Sequence, residues 1–217
     1  MPDYAALRRA MVDCQVRPAD VTRYPIIAAM LAVPREEFVP SQMRPVAYSD
    51  SHVPLGDGRV VLDARTFGKL IDAMEIGSDD LVLHVGAGLG YGPAVLGHMA
   101  AAVIAVEDDE GRAQSAASNL ADADVMNVVV ETGALDAGAP AHGPYDAIVV
   151  EGAIETLPDD LAMQVKPGGR IGAIFTDATG GQARIGVRTD AGLTWRRAFD
   201  ATAPLIPGFA LEKSFVF

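Results

Sequence analysis

The chain has 217 residues, 50% of them hydrophobic and 21% charged. That composition builds a globular core and excludes a mainly disordered or fibrous protein. Seventeen Lys and Arg against 29 Asp and Glu leave a formal net charge of −12, which repels phosphate backbones and argues against nucleic acid as a partner. Cys14 is the single cysteine, so no disulfide within the chain and no cysteine-based metal cluster can form, and a small buried apolar role is expected of it.

In chain order, Leu7, Met11 and Cys14 fall at helical spacing and predict a helix from Tyr4 to Gln15. The apolar run after Arg8-Arg9 stops at Asp13, too soon for an export signal. A second helix is expected after Thr22, ending before Pro34. Pro40, Pro45 and Pro54 then impose an extended segment. The apolar stretches Ile26 to Val33 and Met99 to Val106 fall far short of the roughly 18 residues of a membrane-spanning helix. A cytoplasmic protein with no membrane partner is expected. Residues 1–60 read as the N-terminal helical arm of a single domain spanning 1–217, and 61–217 as its core.

From about residue 66, helix-like stretches alternate with short apolar runs. Leu81 to Val85, Val103 to Val106, Val125 to Val130, Ala147 to Val150 and Ile171 to Phe175 are the predicted strands. Apolar on both faces, they imply a mostly parallel sheet covered by helices on both sides, a doubly wound Rossmann-like α/β fold. Ile185 to Arg188, Leu193 to Ala198 and Leu211 to Phe217 read as strands joined by turns such as Asp190-Ala191-Gly192, an antiparallel C-terminal edge.

The segment from Leu81 to Gly92 runs from a buried strand through a glycine-rich turn into a helix. Glycine there permits unusual dihedrals and lets a ligand approach the backbone. Gly86, Ala87, Gly88, Leu89 and Gly90 are therefore candidate binding residues. The dinucleotide pattern G-x-G-x-x-G would need glycine at position 91, where Tyr91 stands, so NAD is disfavoured. Glu107 ends the next apolar strand 21 residues after Gly86, the separation at which a carboxylate reaches a ribose. The plainer alternative has Glu107, Asp108 and Asp109 complementing a helix N-terminus. Gly86-x-Gly88-x-Gly90 resembles the S-adenosylmethionine loop of class I methyltransferases, and an acidic chain suits a sulfonium cation better than a pyrophosphate.

The order of segments resembles the protein-L-isoaspartate O-methyltransferase family over nearly the whole length. Met11-Val12-Asp13-x-Gln15-Val16-Arg17, followed by Val33-Pro34-Arg35-x-x-Phe38-Val39-Pro40, is similar to its N-terminal region. Pro54-Leu55-Gly56-x-Gly58, Pro144-Tyr145-Asp146 and Lys166-Pro167-Gly168-Gly169-Arg170 are similar to later stretches. The resemblance implies methyl transfer from S-adenosylmethionine, with S-adenosylhomocysteine as product, to isoaspartyl carboxylates of damaged proteins or peptides. Positioning should dominate such a displacement.

The departures fall on functional positions. Where the family has Gln-Thr-Ile-Ser after Gly58, this chain has Arg59-Val60-Val61-Leu62, so Leu62 stands in place of the serine linked with catalysis. Arg59 and Asp63 are the remaining catalytic candidates, and Arg59 could hold a substrate carboxylate. His84 replaces an acidic residue, either as a buried strand residue or as a contact to the methionine end of the cofactor. Glu131-Thr132-Gly133 replaces Gly-Asp-Gly, leaving Thr132 and Gly133 near the adenine position. Glu151 adds an acid after the fourth strand, either a new functional group or an exposed loop acid. Three readings stay open: the family's reaction, a member that binds the cofactor or partner proteins without catalysis, and transfer to another carboxylate anchored by Arg59. His52, His98 and His142 lack metal-ligand spacing, and Ser41, Ser49, Ser51 and Ser78 lack a hydrolase elbow. Trp195, Phe199, Phe215 and Phe217 are expected to pack.

Overall fold

The computed structural model describes residues 2–211. The arm contributes α1 (Tyr4–Met11) and α2 (Tyr24–Ala32), then β1 (Val53–Gly56) and β2 (Arg59–Val61), which pair with each other as a separate antiparallel hairpin. There follow α3 (Ala64–Ala73), β3 (Leu81–Val85), α4 (Tyr91–Gly97), β4 (Ala102–Glu107), α5 (Glu110–Asp122) and β5 (Val128–Thr132). The chain closes with β6 (Tyr145–Ile154), α6 (Asp159–Ala162), β7 (Val165–Asp177), β8 (Gly180–Thr189) and β9 (Gly192–Asp200).

The main sheet has seven strands in the order β5-β4-β3-β6-β7-β8-β9. The pairings from β5 to β7 are parallel, and those of β8 and β9 antiparallel, as the doubly wound reading expects. Val82 to Val85 are buried on both faces of the central strand β3. The sequence reverses its strand order between β3 and β6, which puts a crevice at the carboxyl ends of β3, β4 and β6.

Several expectations change. β5 begins at Val128, three residues after the expected start, because Val125 closes the end of α5 by donating to the Leu120 carbonyl at 3.0 Å. Nor is β5 covered on both faces: it is the outer strand, and Val129 is 51% exposed. Past Met11 the first helix widens into a π-helical turn, Val12–Val16, which leaves Cys14 exposed rather than buried. Leu211 lies outside any strand, and the rest of the strand expected from Leu211 to Phe217, with Phe215 and Phe217, falls outside the described residues. No described helix is long and apolar enough to cross a membrane.

Arm and sheet share one hydrophobic cluster, in which Met11, Val16, Ile26, Met30 and Phe38 pack with Phe67, Leu70, Val82 and Val103. Arg35 ties them together from inside. Only 1% exposed, it donates from Nε to the Ala47 carbonyl and from Nη2 to the Leu62 carbonyl, both at 2.7 Å, with its guanidinium 4.5 Å above the Tyr91 ring. Hydrogen bonds from a charged group contribute about 1.5–3 kcal/mol each. Arg35→Met should therefore lower stability by about 3 kcal/mol or more in urea denaturation; a loss under about 1 kcal/mol would mean that the two carbonyls are satisfied without it.

Candidate functional site

β3 ends at Val85 and the chain turns through Gly86, Ala87, Gly88, Leu89 and Gly90 into α4. The Gly86 and Ala87 amides both donate to the Val106 carbonyl, at 2.9 and 3.0 Å, so the loop is hung on the end of β4. Gly86, Gly88 and Gly90 have φ of 89°, 57° and 101°, a region where a Cβ is strained. The Leu89 carbonyl accepts from Asn119 of α5.

Glu107, the last residue of β4, has no exposed surface and faces this loop. Its Oε2 accepts from the Gly88 amide at 2.6 Å. Arg59, brought in by β2, straddles the carboxylate, with Nη1 3.0 Å from Oε1 and Nη2 3.2 Å from Oε2. Arg112, in the first turn of α5, adds Nε at 2.9 Å from Oε1. Asp108 accepts from Arg59 Nη1 at 2.7 Å and from Arg112 Nη2 at 3.3 Å, while Asp109 caps α5 through its Oδ1 on the Arg112 amide. Burial works against ionisation of Asp108, yet the neighbouring Glu107 carboxyl and the Arg59 and Arg112 cations outweigh it and hold Asp108 below the usual carboxylate range.

The space in front of the loop is filled by the hairpin. A Cβ on Gly86 would lie 2.9 Å from Arg59 Nη2, and one on Gly88 2.7 Å from Leu55 Cδ1. Beneath the loop, His84 of β3 and Glu151 of β6 form a second buried pair, Nε2 to Oε2 at 3.0 Å. Glu151 is thus no exposed loop acid. Its Oε1 accepts from the backbone amide of Leu62 at 3.2 Å, and Leu62 itself is fully buried. Gly92 leaves room for the pair, since a Cβ there would sit 2.3 Å from Glu151 Oε2.

Of the residues singled out in the sequence, Arg59, Gly86, Gly88, Glu107 and Asp108 come together in one cluster, and His84 and Glu151 in the next. Thr132 pairs in register with Glu107 but is exposed, and Gly133 donates to the Glu107 carbonyl at 2.9 Å. Asp63 is committed to capping α3, its Oδ1 accepting from the Thr66 amide at 2.8 Å, with Oδ2 3.2 Å from His52 Nδ1. Leu55 and Arg112 were not singled out as site residues; Arg112 had a local signal in its position one helical turn past the strand-end acids, and Leu55 in the Pro54-Leu55-Gly56-x-Gly58 stretch that resembles the family's segment leading into its active site.

Residues 8–183 match the profile of the protein-L-isoaspartate(D-aspartate) O-methyltransferase family. The chain belongs to that family. It is 39% identical to protein-L-isoaspartate O-methyltransferase 1 of Rhodopseudomonas palustris (strain HaA2) over 168 residues, 77% of this chain and 69% of the relative. It is 35% identical to the enzyme of that name from Roseiflexus castenholzii over 212 residues, 96% and 95% of the two chains. Among solved structures, a protein-L-isoaspartate O-methyltransferase superposes with a TM-score of 0.80 at 21% identity, covering 94% of this chain and 66% of that one. A Plasmodium falciparum structure described as a member of the same family, in complex with S-adenosyl-L-homocysteine, gives 0.77 at 15% identity, covering 94% and 98%. At those identities the likeness is one of fold. The isoaspartate O-methyltransferase architecture is thus kept here, while the arginine-carboxylate cluster occupies the crevice of its sheet.

Glu107→Gln should destabilise this family member by about 3–5 kcal/mol in chemical denaturation, because it leaves the buried Arg59 and the half-buried Arg112 short of a counter-charge. Asp108 contributes an acid dependence at this site. Its depressed folded pKa means that its contribution is present above the ordinary value of 3.8 and lost as pH falls through the lower, folded value. Asp108→Asn should accordingly flatten the fall of Tm on acidification below pH about 4, and an unchanged slope would locate the acid-sensitive group elsewhere.

Proposed function

We propose that the protein is an S-adenosylmethionine-dependent carboxyl O-methyltransferase acting on isoaspartyl residues of proteins or peptides. Family membership over residues 8–183 supports this reading, and so does the placement of Glu107 against the Gly88 amide at the carboxyl end of the sheet. The glycine loop and Glu107 are the residues proposed to receive the nucleoside, with Ala87, Leu89 and Asp108 around them and Thr132 and Gly133 on the adenine side. When bound, the cofactor would supply the methyl group. The same reading takes 1–217 as one domain, supported by the core that arm and sheet share, and expects it in the cytoplasm.

In this conformation the chain's own groups take up the place proposed for the cofactor. Glu107 already accepts four hydrogen bonds, about the capacity of a carboxylate, and has none left for a ribose diol. Arg59 and Leu55 fill the approach to Gly86 and Gly88. Leu62, buried at the position of the family's serine, has no group to orient a substrate carboxylate. The replacement of the serine by Leu62 motivates a second reading to test beside the first, a family member that binds the cofactor without transferring methyl groups.

Radiolabelled methyl transfer to an isoaspartyl peptide, set against its normal-aspartyl counterpart, separates the two. The first reading expects incorporation into the isoaspartyl peptide alone. Binding of S-adenosylhomocysteine in calorimetry without any incorporation would favour the second.

A further inference from the structure

We propose that Arg59 is an intramolecular latch: its guanidinium takes the place on Glu107 that the ribose hydroxyls of a nucleoside would take, and the β1–β2 hairpin it belongs to is a lid over the glycine loop. The inference rests on the cofactor reading above.

Three independent features meet in this arrangement. The first is steric. The nearest side-chain atoms over Gly86 and Gly88 are Arg59 Nη2 and Leu55 Cδ1, both carried by the hairpin. Those glycines keep a bare backbone, as a ligand cradle requires, and the chain's own side chains lie against it.

The second is electrostatic. Glu107 is held by a strand buried along its length and cannot turn to water, so it needs donors whether or not a ligand is present. Arg59 presents two N–H groups to the two carboxylate oxygens, the same pattern of two donors that a vicinal diol offers. Arg112 and the Gly88 amide remain on Glu107 when Arg59 leaves, so an exchange of Arg59 for a ribose does not strand the carboxylate.

The third is mechanical. β1 and β2 pair only with each other and join no strand of the main sheet. A two-stranded hairpin is marginal by itself, so its position depends on what grips it. The base is gripped by the core, in which Val53 and Val61 are buried; the tip is gripped by ions, Arg59 holding Glu107 and Asp108 from the hairpin side and Arg112 Nη1 reaching Asp57 at the turn, 3.5 Å away. The turn itself, Asp57-Gly58, has φ of 49° and 74°, the left-handed pair that makes a tight reversal compact enough to sit over the loop.

A latch that closes the binding-competent state lowers apparent affinity by the fraction of molecules that are open. Replacing Arg59 should therefore tighten nucleoside binding, although it removes a buried ion pair. Titration calorimetry with S-adenosylhomocysteine on the full-length protein tests this with the wild type, R59Q and R59A, each first confirmed as folded by near-ultraviolet circular dichroism. R59K, which keeps the charge but loses the two-pronged contact, serves as a milder variant. The latch expects R59Q and R59A to bind at least about tenfold more tightly than the wild type, with R59K between them. Measurable binding only in the variants supports it equally.

Equal affinities in wild type and variants would overturn the latch while leaving the cofactor reading intact. Absence of binding in all of them would overturn both. If only the wild type can be prepared folded, hydrogen exchange decides: ligand saturation should alter exchange of the amides across residues 55–61, and binding with those amides unchanged would show that the ligand enters without moving Arg59.

Discussion

A carboxylate with no exposed surface, placed at the end of a buried strand, constrains everything around it. Glu107 is held there by the register of β4 between β3 and β5, and its four hydrogen bonds come from three different elements: both prongs of a hairpin arginine, a helix arginine and a loop amide. Desolvating an ionised carboxylate without partners is costly enough that the group would neutralise instead. The path of β2, the first turn of α5 and the conformation of the glycine loop are thus all coupled to one side chain. The tip of the hairpin lies where it does because its arginine is bound to that carboxyl group.

The positions that depart from the family pattern turn out to touch one another. His84 stands where an acid is usual, and Glu151 brings an acid where one is not; the two bind each other, beneath the loop rather than in it. Glu151 then reaches the amide of Leu62, the residue that takes the serine's place. Arg59, in the same stretch, reaches Glu107. The substituted groups thus make contacts within the chain, and each forms part of a linked set of donors and acceptors. Only His84 Nδ1 is left over, buried and without a partner among the described residues.

Much of this fold was legible in the sequence because its signals are local. Runs such as Leu81 to Val85 are apolar on both faces, and a strand so buried admits few architectures. The glycine loop announced itself by spacing, and Asp109 by its place just before a helix. What could not be read was whatever depends on distance. Val129 looks like its neighbours in β4, yet it is exposed because β5 happens to be last in the sheet. Cys14 keeps the helical spacing of Leu7 and Met11, but the π-helical turn rotates it to the surface. Arg59 and Glu107 lie 48 residues apart, and nothing in the spacing or composition of either neighbourhood foretells that a hairpin brings them together; Leu55 stood in a stretch resembling the family's, but its packing against Gly88 was not legible there.

Leu62 is fastened from both sides of its backbone. Its amide is bound to Glu151, its carbonyl to Arg35, and its side chain is enclosed; one residue later Asp63 caps α3. The junction between hairpin and helix is therefore a fixed axle. Motion of the hairpin has to be taken up before residue 62, in the chain that carries Leu55 and Arg59, and α3 with the core behind it stays in place. Val53 and Val61, paired across the open end of the hairpin, are themselves buried in the core, so only the tip between them can move while its base stays seated.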